Sequence, residues 1–442
     1  GSLKGLCPFH DEKSPSFNVR PAVGAYHCFG CGEGGDVISF VQKLEHLTFA
    51  ESVERLAAKI GFTLTYEDGV GPREEGLGKR SRLIEAHRVA QEYYADLLLD
   101  TSHTAARAGR DFMRERGFDG ETAKMFGVGF APRGGEDLTR HLRAKGFTDD
   151  EVVLGGLAGR GSRGLYDRFR GRLVWPIRDI TGDCVGFGAR RLFDDDRIEA
   201  KYLNTSETTI YKKSTVLYGL DAAKKAIARD RTAVVVEGYT DVMACHLAGV
   251  PTAVATCGTA FGADHIGVIR RLLMDQDEFR GEVVFTFDGD AAGQKAALKA
   301  FGDDQRFVAQ TFIAVSPGSM DPCELRLARG DTAVRDLVAA RVPLVEFAVK
   351  AALARYDLDS AEGRVQALSS AAPLVAKIKN RALAMEYARR LAGWLGMDEA
   401  TVRERVGHDV PGIGSQQRRR PVAASADAAL LRLEREALKL AV

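Results

Sequence analysis

The chain has 442 residues, of which 45% are hydrophobic and 28% are charged, and its formal net charge is +1. This length favours two to four domains, and the composition is that of a globular protein that can bury sizeable cores. A net charge so close to zero says nothing about partners, so the distribution of charge has to supply that information. No apolar run reaches the ~18 residues that a membrane span requires, and no secretory signal is recognisable.

The seven cysteines are an odd number and are not spaced like the disulfide framework of a small secreted domain. This favours a reducing, cytoplasmic environment. Gly1-Ser2 resembles a remnant of cloning, after which the chain begins abruptly. We therefore expect native sequence to be missing upstream.

Shifts in composition divide the chain into segments. Short strand-like and helical stretches precede a polar, glycine-rich linker, and strands later alternate with helices in the pattern of a parallel, doubly wound sheet. The predicted segments are a first module (1–66), a linker (67–80), a mixed α+β subdomain (81–230), an α/β subdomain (231–330), a helical subdomain (331–407), and a second linker that leads into one helix of a further domain (408–442).

Two pairs of metal-binding side chains lie in the first module. Two residues separate Cys7 from His10, and the same spacing separates Cys28 from Cys31. Such spacers let each pair turn back on one ion, and four such ligands form a closed tetrahedral zinc site of the structural kind. We expect one zinc ion in a small zinc ribbon, with the neighbouring His27 not a ligand.

The same module carries aromatic and basic side chains. Phe9, Phe17 and Tyr26, with nearby lysines and arginines, would suit single-stranded nucleic acid by stacking and charge. Modules of this size also bind proteins, so this pattern alone decides nothing.

Acidic side chains follow the predicted strands of the α/β subdomain. Glu237 follows the first strand, Asp288 and Asp290 follow the third, and Asp321 comes after the fourth. The carboxyl ends of parallel strands line one crevice, so we expect these acids to converge there, together with Asp241. Converging carboxylates repel one another and recruit cations, and hard oxygen ligands suit Mg²⁺. The pattern predicts phosphoryl or nucleotidyl transfer assisted by two metal ions.

Residues 160–191 form a basic stretch that holds eight arginines and three acidic residues. Placed before the acidic cluster, such a stretch could hold template phosphates or nucleoside triphosphates. For any single arginine, a solvated surface position is the alternative.

The ordered set of motifs resembles that of bacterial DNA primases. CPFH and CFGC resemble their zinc-binding domain, and EGYTD and FDGDAAG resemble Toprim metal-binding motifs. RFRGRLVWPIRD, VGFGAR, KYLNTSE and YKKSTVLYGL resemble motifs of their RNA polymerase domain, and the resemblance covers about residues 3–407. It implies an α+β multidomain protein with a zinc ribbon, a mixed α+β subdomain, a Toprim α/β parallel sheet and a C-terminal helical bundle.

The resemblance implies a DNA-dependent RNA polymerase that makes short RNA primers on single-stranded DNA from ribonucleoside triphosphates. Glu237, Asp288 and Asp290 would be the catalytic, metal-binding acids, flanked by Asp241 and Asp321, with Mg or Mn as the ion. Template or nucleotide binding would fall to Arg170, Arg172, Lys201, Asn204 and Lys212.

Family members end in a domain that binds the replicative helicase. We expect this domain to be largely absent here, beginning only after residue 421, so that the chain is a truncated primase without that partner site. The chain also departs from the family at Asp321-Pro322-Cys323-Glu324, where Asp-Pro-Asp is usual. Cys323 is a poor Mg²⁺ ligand. Either the second metal site is weaker, Glu324 substitutes, or Cys323 is only a packed residue.

Three other functions compete with primer synthesis. Another Toprim enzyme, a topoisomerase or nuclease, would use the same acids, but we identify no tyrosine nucleophile in a separate DNA-gate domain. A primase–helicase fusion would need a G-x-x-x-x-G-K-[ST] loop, which is absent. A zinc-ribbon DNA-binding protein without catalytic activity would not need the full set of acids.

Overall fold

The computed structural model describes residues 1–45 except 11 and 13, residues 49–60 and 62, residues 77–273 except 163 and 197, residues 281–287, and residues 310–408 except 379. The chain divides into two units, Gly1–Leu344 and Val345–Val442. A small antiparallel sheet, a second antiparallel sheet, a largely parallel sheet and C-terminal helices follow one another, which confirms the predicted α+β fold class. Within the described ranges, none of the helices is both long enough and apolar enough to cross a bilayer.

The first module is a four-stranded antiparallel sheet in chain order, followed by two helices. Its third strand alternates with period two, since Tyr26 and Cys28 are buried whereas His27 between them is exposed. The buried face packs on Phe9, Phe17 and other aromatic rings. The elements are β1 (Leu3–Gly5), β2 (Phe17–Arg20), a 3-10 turn (Pro21–Val23), β3 (Ala25–Cys28), β4 (Gly34–Asp36), α1 (Val37–Glu45) and α2 (Phe49–Lys59).

The mixed α+β region is built on a second antiparallel sheet and a small two-stranded sheet. A hairpin turns at residues 179–183, where the carboxylate of Asp179 accepts hydrogen bonds from the backbone N–H groups of Thr181, Gly182 and Asp183 at 2.9–3.1 Å. The helices are α3 (Leu77–Leu99), α4 (Arg107–Glu115), α5 (Gly120–Phe126), α6 (Asp137–Ala144) and α7 (Asp149–Leu154), with a 3-10 turn at Thr104–Ala106. The strands are β5 (Gly129–Ala131), β6 (Ala158–Gly161), β7 (Gly164–Asp167), β8 (Arg172–Arg178), β9 (Cys184–Arg191) and β10 (Tyr202–Asn204), with sheet orders β10-β9-β8-β5 and β6-β7.

The third region is a six-stranded sheet whose four central strands are parallel and whose two short edge strands are antiparallel. The central strands are apolar and β-branched because helices cover both faces. The strands are β11 (Leu217–Tyr218), β12 (Thr232–Val236), β13 (Ala253–Thr256), β14 (Glu282–Phe287), β15 (Gln310–Val315) and β16 (Val342–Pro343), in the order β11-β13-β12-β14-β15-β16. The helices are α8 (Leu220–Asp230), α9 (Tyr239–Leu247), α10 (Ala263–Leu273) and α11 (Pro322–Ala339), with a 3-10 turn at Pro317–Ser319.

One hydrophobic core joins the antiparallel sheet to the parallel sheet. Trp175 of β8 stacks on Tyr239, the first residue of α9, with the ring centroids 5.3 Å apart and the planes 10° from parallel. The indole N–H of Trp175 donates to the Met243 sulfur at 3.2 Å, one turn further along the same helix. The start of α9 is therefore fixed against both sheets.

The second unit is a set of helices with its own core. Val349, Ala371, Leu391 and Val402 are fully buried there, one from each helix. Its helices are α12 (Leu344–Leu353), α13 (Ala361–Ala376), α14 (Arg381–Leu395) and α15 (Glu399–His408).

The contact between β9 and α9 gives a test of this packing. A Cβ added to Gly188 would overlap the hydroxyl and ring of Tyr239, and this ring is buried on Trp175. We expect Gly188→Ala to lower the free energy of unfolding by about 1–3 kcal/mol through overpacking. Urea unfolding followed by tryptophan fluorescence measures this change.

Gly267→Ala is the matched control. Gly267 lies within α10, and a Cβ there would have no neighbour within 4 Å. We expect this variant to be unchanged or stabilised by up to about 1 kcal/mol. A Gly188→Ala protein as stable as the Gly267→Ala protein would show that Tyr239 is not held tightly.

Candidate functional site

The four predicted zinc ligands lie together. One ligand atom from each of Cys7, His10, Cys28 and Cys31 lies within 4.8 Å of the others. The sulfurs of Cys7 and Cys31 are 3.8 Å apart, and the Cys28 sulfur is 3.8 Å from Nδ1 of His10. Four ligands in a tetrahedron around zinc are separated by roughly 3.8 Å when the metal–sulfur bond is about 2.3 Å. The cluster can therefore hold one tetrahedral ion.

Neighbouring groups favour the thiolate form of Cys28. Burial raises the pKa of this thiol, but the Ser16 hydroxyl at 3.0 Å and the backbone N–H groups of Cys31 and Gly30 outweigh it and lower the pKa to about 6. A thiolate is the form of cysteine that binds metal. Burial raises the pKa of the other two thiols, that of Cys7 to about 12, so Cys28 is the one thiol of the three whose surroundings favour the metal-binding form.

Glu12 is a residue of this site that the sequence reasoning missed. Its carboxylate accepts hydrogen bonds from the backbone N–H groups of Cys7 at 2.7 Å and Ser16 at 3.1 Å, and it also accepts from the Ser16 hydroxyl. Nε2 of His10 lies 3.3 Å from the same carboxylate, which orients the ring so that Nδ1 faces the cluster. The C-x2-H spacing gives no sign of this support, since an acid two residues after a histidine is ordinary.

The aromatic side chains of the zinc module differ from expectation. Phe17 and Tyr26 are buried and Phe9 packs against them, so these three rings form the core of the module. Phe29 is instead 73% exposed, and its ring centroid lies 4.5 Å from that of His27. Exposed rings that could stack on a base are therefore His27, on the outer face of β3, and Phe29, which directly follows that strand.

The acidic residues occupy helix and strand ends. Glu237 is exposed and directly follows β12, at the carboxyl edge of the parallel sheet. Asp241, 5% exposed, lies in the first turn of α9, and its Oδ2 accepts from the Gly238 N–H at 2.8 Å. β12 pairs in parallel with β14, which ends at Phe287. Asp288 and Asp290 lie outside the described residues.

Asp321 is the N-cap of α11, and its Oδ1 accepts from the Glu324 N–H at 2.7 Å. Glu324 reaches back toward the Asp321 N–H at 3.4 Å, so the two form a capping box. Cys323 between them is 2% exposed, and its sulfur lies 3.9 Å from the Arg116 carbonyl oxygen. Burial, with added repulsion from Asp321 and Asp241, raises the pKa of this thiol to about 12. Cys323 is thus a packed neutral residue, and Glu324 serves the helix cap.

Asn204 connects the two sheets. Its Nδ2 donates to the Cys257 carbonyl oxygen at 2.8 Å, and its Oδ1 accepts from the Tyr239 hydroxyl at 2.8 Å. The KYLN segment is thereby tied to the start of α9 and to the loop after β13. This role could not be read from the sequence, because the partners are distant along the chain.

The predicted basic residues differ in exposure. Lys201 and Lys212 are exposed on loops, and Arg170 is half-buried with its guanidinium 5.5 Å from the Tyr166 ring centroid. Arg172 is 1% exposed and bonded entirely within the protein. The arginine-rich stretch is therefore not one continuous solvent-facing patch.

Two further arginines lie near the acids. The guanidinium carbons of Arg116 and Arg190 lie 4.1 Å and 4.2 Å from the Phe112 ring centroid. Burial raises the pKa of the Tyr202 hydroxyl, and the charges of Arg190, Asp241 and Arg116 act on the same group. Arg190 lies opposite Tyr202 in the sheet, and the Tyr202 ring centroid lies 6.1 Å from that of Tyr239 at the start of α9. Arg116 contacts the start of α11, where its carbonyl oxygen lies 3.9 Å from the Cys323 sulfur. Arg190 belongs to the basic stretch, whereas nothing in the sequence marks Arg116.

Comparison with protein families assigns a description to each region. A CHC2 zinc finger model matches residues 1–71, and a model for the N-terminal domain of the DNA primase catalytic core matches residues 93–224. A Toprim domain model matches residues 231–315, and a model for the DnaB-helicase binding domain of primase matches residues 345–400.

Individual relatives agree with these descriptions. A DNA primase of Streptomyces coelicolor is 62% identical over 397 residues, which cover 90% of this chain and 61% of that protein. The RNA polymerase domain of Mycobacterium tuberculosis primase, solved with a double-stranded DNA oligomer that has a 6-nucleotide overhang, is 56% identical with a TM-score of 0.67, and the match covers 73% of this chain and 99% of that one. A primase catalytic domain bound to single-stranded DNA is 30% identical with a TM-score of 0.62, covering 74% of this chain and 100% of that one. The chain spans about three-fifths of the length of curated relatives such as the Streptomyces coelicolor protein.

The expectation that the helicase-binding domain is largely absent and begins only after residue 421 is wrong. The model for that domain matches residues 345–400, within the helical unit that starts at Val345. The error arises because the arginine- and glycine-containing stretch at 408–421 has the composition of a linker and so suggested a boundary before the domain. A linker-like composition shows that a segment is polar, but not which domain precedes it.

The surroundings of Cys323 predict the effect of a third acid at this position. We expect Cys323→Asp to lower the free energy of unfolding by about 3 kcal/mol at neutral pH, because it places an unpaired charge in a buried site beside two acids. Cys323→Ala removes only the sulfur and should lower the free energy of unfolding by about 1 kcal/mol. Urea unfolding with EDTA present gives both values. A Cys323→Asp protein of wild-type stability that needed less Mg²⁺ would place this side chain in the metal site.

Proposed function

Because this chain belongs to the bacterial DNA primase family, we propose that it is a DNA-directed RNA polymerase that copies single-stranded DNA into short RNA primers for replication. The observation that carries the proposal is the contact between the two sheets. The acidic carboxyl edge of the Toprim sheet, at Glu237 and Asp241, lies against the antiparallel sheet that carries Arg190 and leads to Asn204. On this proposal, the acids would bind the metal ions and the neighbouring cations would bind phosphate.

The proposed metal ligands are Glu237, Asp288 and Asp290, flanked by Asp241 and Asp321. Oxygen donors of this kind fit Mg²⁺ or Mn²⁺. Such ions, when bound, stabilise the charge that develops as a hydroxyl attacks the nucleotide α-phosphate and pyrophosphate leaves. The chain's own part is to hold Glu237, Asp241 and Asp321 at a strand end and at the starts of two helices.

Phosphate binding is proposed for cations around that edge. Arg116 and Arg190 are held by the Phe112 ring, and Lys201 and Lys212 extend from loops. Guanidinium groups bind phosphate oxygens through two parallel hydrogen bonds, and lysines add point charge. Ribonucleoside triphosphates and the template strand are the proposed ligands. With these ligands, the proposed location is the cytoplasm, at the replication fork in the nucleoid.

The outer modules are proposed to serve recognition. The zinc module would hold one structural zinc ion and present Phe29 and His27 to unstacked template bases, with Lys4 and Arg20 for the backbone. Residues 345–400 are the proposed contact for the replicative helicase, since they match the helicase-binding model. This assigns the helicase contact to a segment that the chain contains.

The catalytic proposal is tested at Asp288. We expect Asp288→Asn to reduce primer synthesis by about 100-fold or more, because the ions supply several kcal/mol of transition-state stabilisation. Binding of single-stranded DNA should change little. Synthesis of short RNA from labelled ribonucleotides and fluorescence anisotropy with labelled DNA measure the two properties.

Asp230→Asn serves as the control for that experiment. Asp230 is an exposed acid that precedes the amino end of β12, at the edge of the sheet opposite Glu237. It should keep full activity. If the Asp288→Asn protein makes primers at the same rate as the control, Asp288 is not a catalytic residue.

The zinc proposal is tested by metal content. Cys28→Ser should lose stoichiometric zinc, whereas Cys184→Ala, at a buried cysteine outside the module, should retain one ion per chain. Glu12→Gln keeps all four ligands but weakens the support of His10, so it should lower zinc affinity by about 10- to 100-fold. Elemental analysis gives the content, and competition with a chromogenic chelator gives the affinity. Full zinc in Cys28→Ser would exclude this ligand set.

A further inference from the structure

The segment 192–201 leaves the antiparallel sheet after β9 and returns to it at β10. Arg172 of β8 lies beneath this loop, and its three bonded nitrogens all contact it. Nε donates to Oδ2 of Asp196 at 2.7 Å, Nη2 to the Ile198 carbonyl oxygen at 2.8 Å, and Nη1 to the Ala200 carbonyl oxygen at 3.1 Å. One guanidinium thus fastens the loop at three points spread over five residues.

Other contacts strengthen the same attachment. The second oxygen of Asp196 accepts from the Ile198 N–H at 2.9 Å, which fixes the carboxylate toward Arg172. Arg133 pairs with Asp195 and lies 4.5 Å from the Phe193 ring centroid. The loop closes where the Arg191 N–H donates to the Lys201 carbonyl oxygen at 2.9 Å. The exposed side chain of Lys201 therefore starts from a fixed backbone.

The chemistry of Arg172 excludes a direct role at a phosphate in this arrangement. The side chain is 1% exposed, and its donors are directed at a carboxylate and two carbonyl oxygens. A planar guanidinium can satisfy three acceptors at fixed angles, which the single ammonium group of lysine cannot reproduce. The geometry, rather than the charge alone, is what this position requires.

We propose that Arg172 is a positioning residue that does not touch the template or the nucleotide, and that it fastens the loop so that Lys201 meets nucleic-acid phosphate. The proposal rests on the proposed function for its ligand, single-stranded DNA. The two residues then have different roles. Arg172 acts through hydrogen bonds inside the protein, whereas Lys201 acts through its charge at the surface.

The first experiment tests the attachment without any ligand. Arg172→Lys retains the positive charge but loses the fork of donors, and Asp196→Asn removes the carboxylate. Limited trypsin digestion of the full chain should cleave after Lys201 at least about 10-fold faster in both variants, because the loop opens locally. Arg82→Lys is the control, since Arg82 makes a similar two-point contact with Glu151 and donates to the Gly146 carbonyl oxygen far from the loop. Its cleavage after Lys201 should match wild type.

The second experiment tests the consequence for binding. Anisotropy with labelled single-stranded DNA at several salt concentrations gives the slope of log affinity against log salt, which changes by about 0.7 for each phosphate that the protein ceases to neutralise. Lys201→Ala and Arg172→Lys should lower the slope by the same amount, although only the first removes a charge. The double variant Arg172→Lys/Lys201→Ala should equal Lys201→Ala alone.

The outcomes distinguish a failure of this proposal from a failure of the proposed function. If Arg172→Lys weakens binding by the same factor with and without Lys201, Arg172 makes an independent contact and the proposal is overturned. Unchanged cleavage after Lys201 in Arg172→Lys overturns the attachment even if the enzyme binds DNA and makes primers. If the wild-type protein does not bind single-stranded DNA, the proposed function is overturned, and so is the role of the loop in DNA binding. The cleavage rates would still show whether Arg172 fastens the loop.

Discussion

The close contact of β9 with the start of α9 is the constraint on which the arrangement of the site depends. Only a residue without a side chain fits at Gly188, since a Cβ there would overlap Tyr239. Tyr239 can then lie flat on Trp175 and donate to Asn204. The antiparallel and parallel sheets thus share one core through the helix whose first turn carries Asp241. These contacts hold the start of α9, and with it Asp241, against the antiparallel sheet that carries Arg190.

Elements with strong local patterns could be predicted from the sequence. Short apolar, β-branched runs mark the four central parallel strands in the sequence, since strands covered on both faces have continuous apolar sequence. The two edge strands were missed because each has two residues, too few to show a period. The zinc ligands lie together as their spacing predicts, because the two residues of each pair are close along the chain and a short antiparallel hairpin brings the pairs to one end of the sheet.

Residues whose roles depend on distant partners could not be predicted. Asn204 bonds to groups 35 and 53 residues away along the chain. Arg116 reaches the start of α11 only through the fold, which sets its guanidinium on Phe112 and its carbonyl oxygen 3.9 Å from the Cys323 sulfur. The buried environment of Arg172 could not be predicted from the sequence either. Its neighbour in the motif, Arg170, precedes β8 and is half-buried over Tyr166, whereas Arg172 begins β8 and is buried beneath the loop 192–201. A run of arginines therefore contains members with different surroundings, and burial decides which of them can meet a ligand.

Two carboxylates of like charge, those of Asp241 and Asp321, lie at the starts of neighbouring helices. Asp241 lies in the first turn of α9, and Asp321 caps the start of α11, which packs against α9. An anion at a helix N-terminus is stabilised by about 0.3–1 kcal/mol, and each of these carboxylates also accepts a backbone N–H. Both effects oppose the mutual repulsion, so the fold can hold the charges that a cation needs. A neutral, buried Cys323 beside them keeps a further charge out of the cluster. The departure from the Asp-Pro-Asp pattern thus lowers the electrostatic repulsion at this edge, while Asp321 keeps the position of the family's acid at the helix cap.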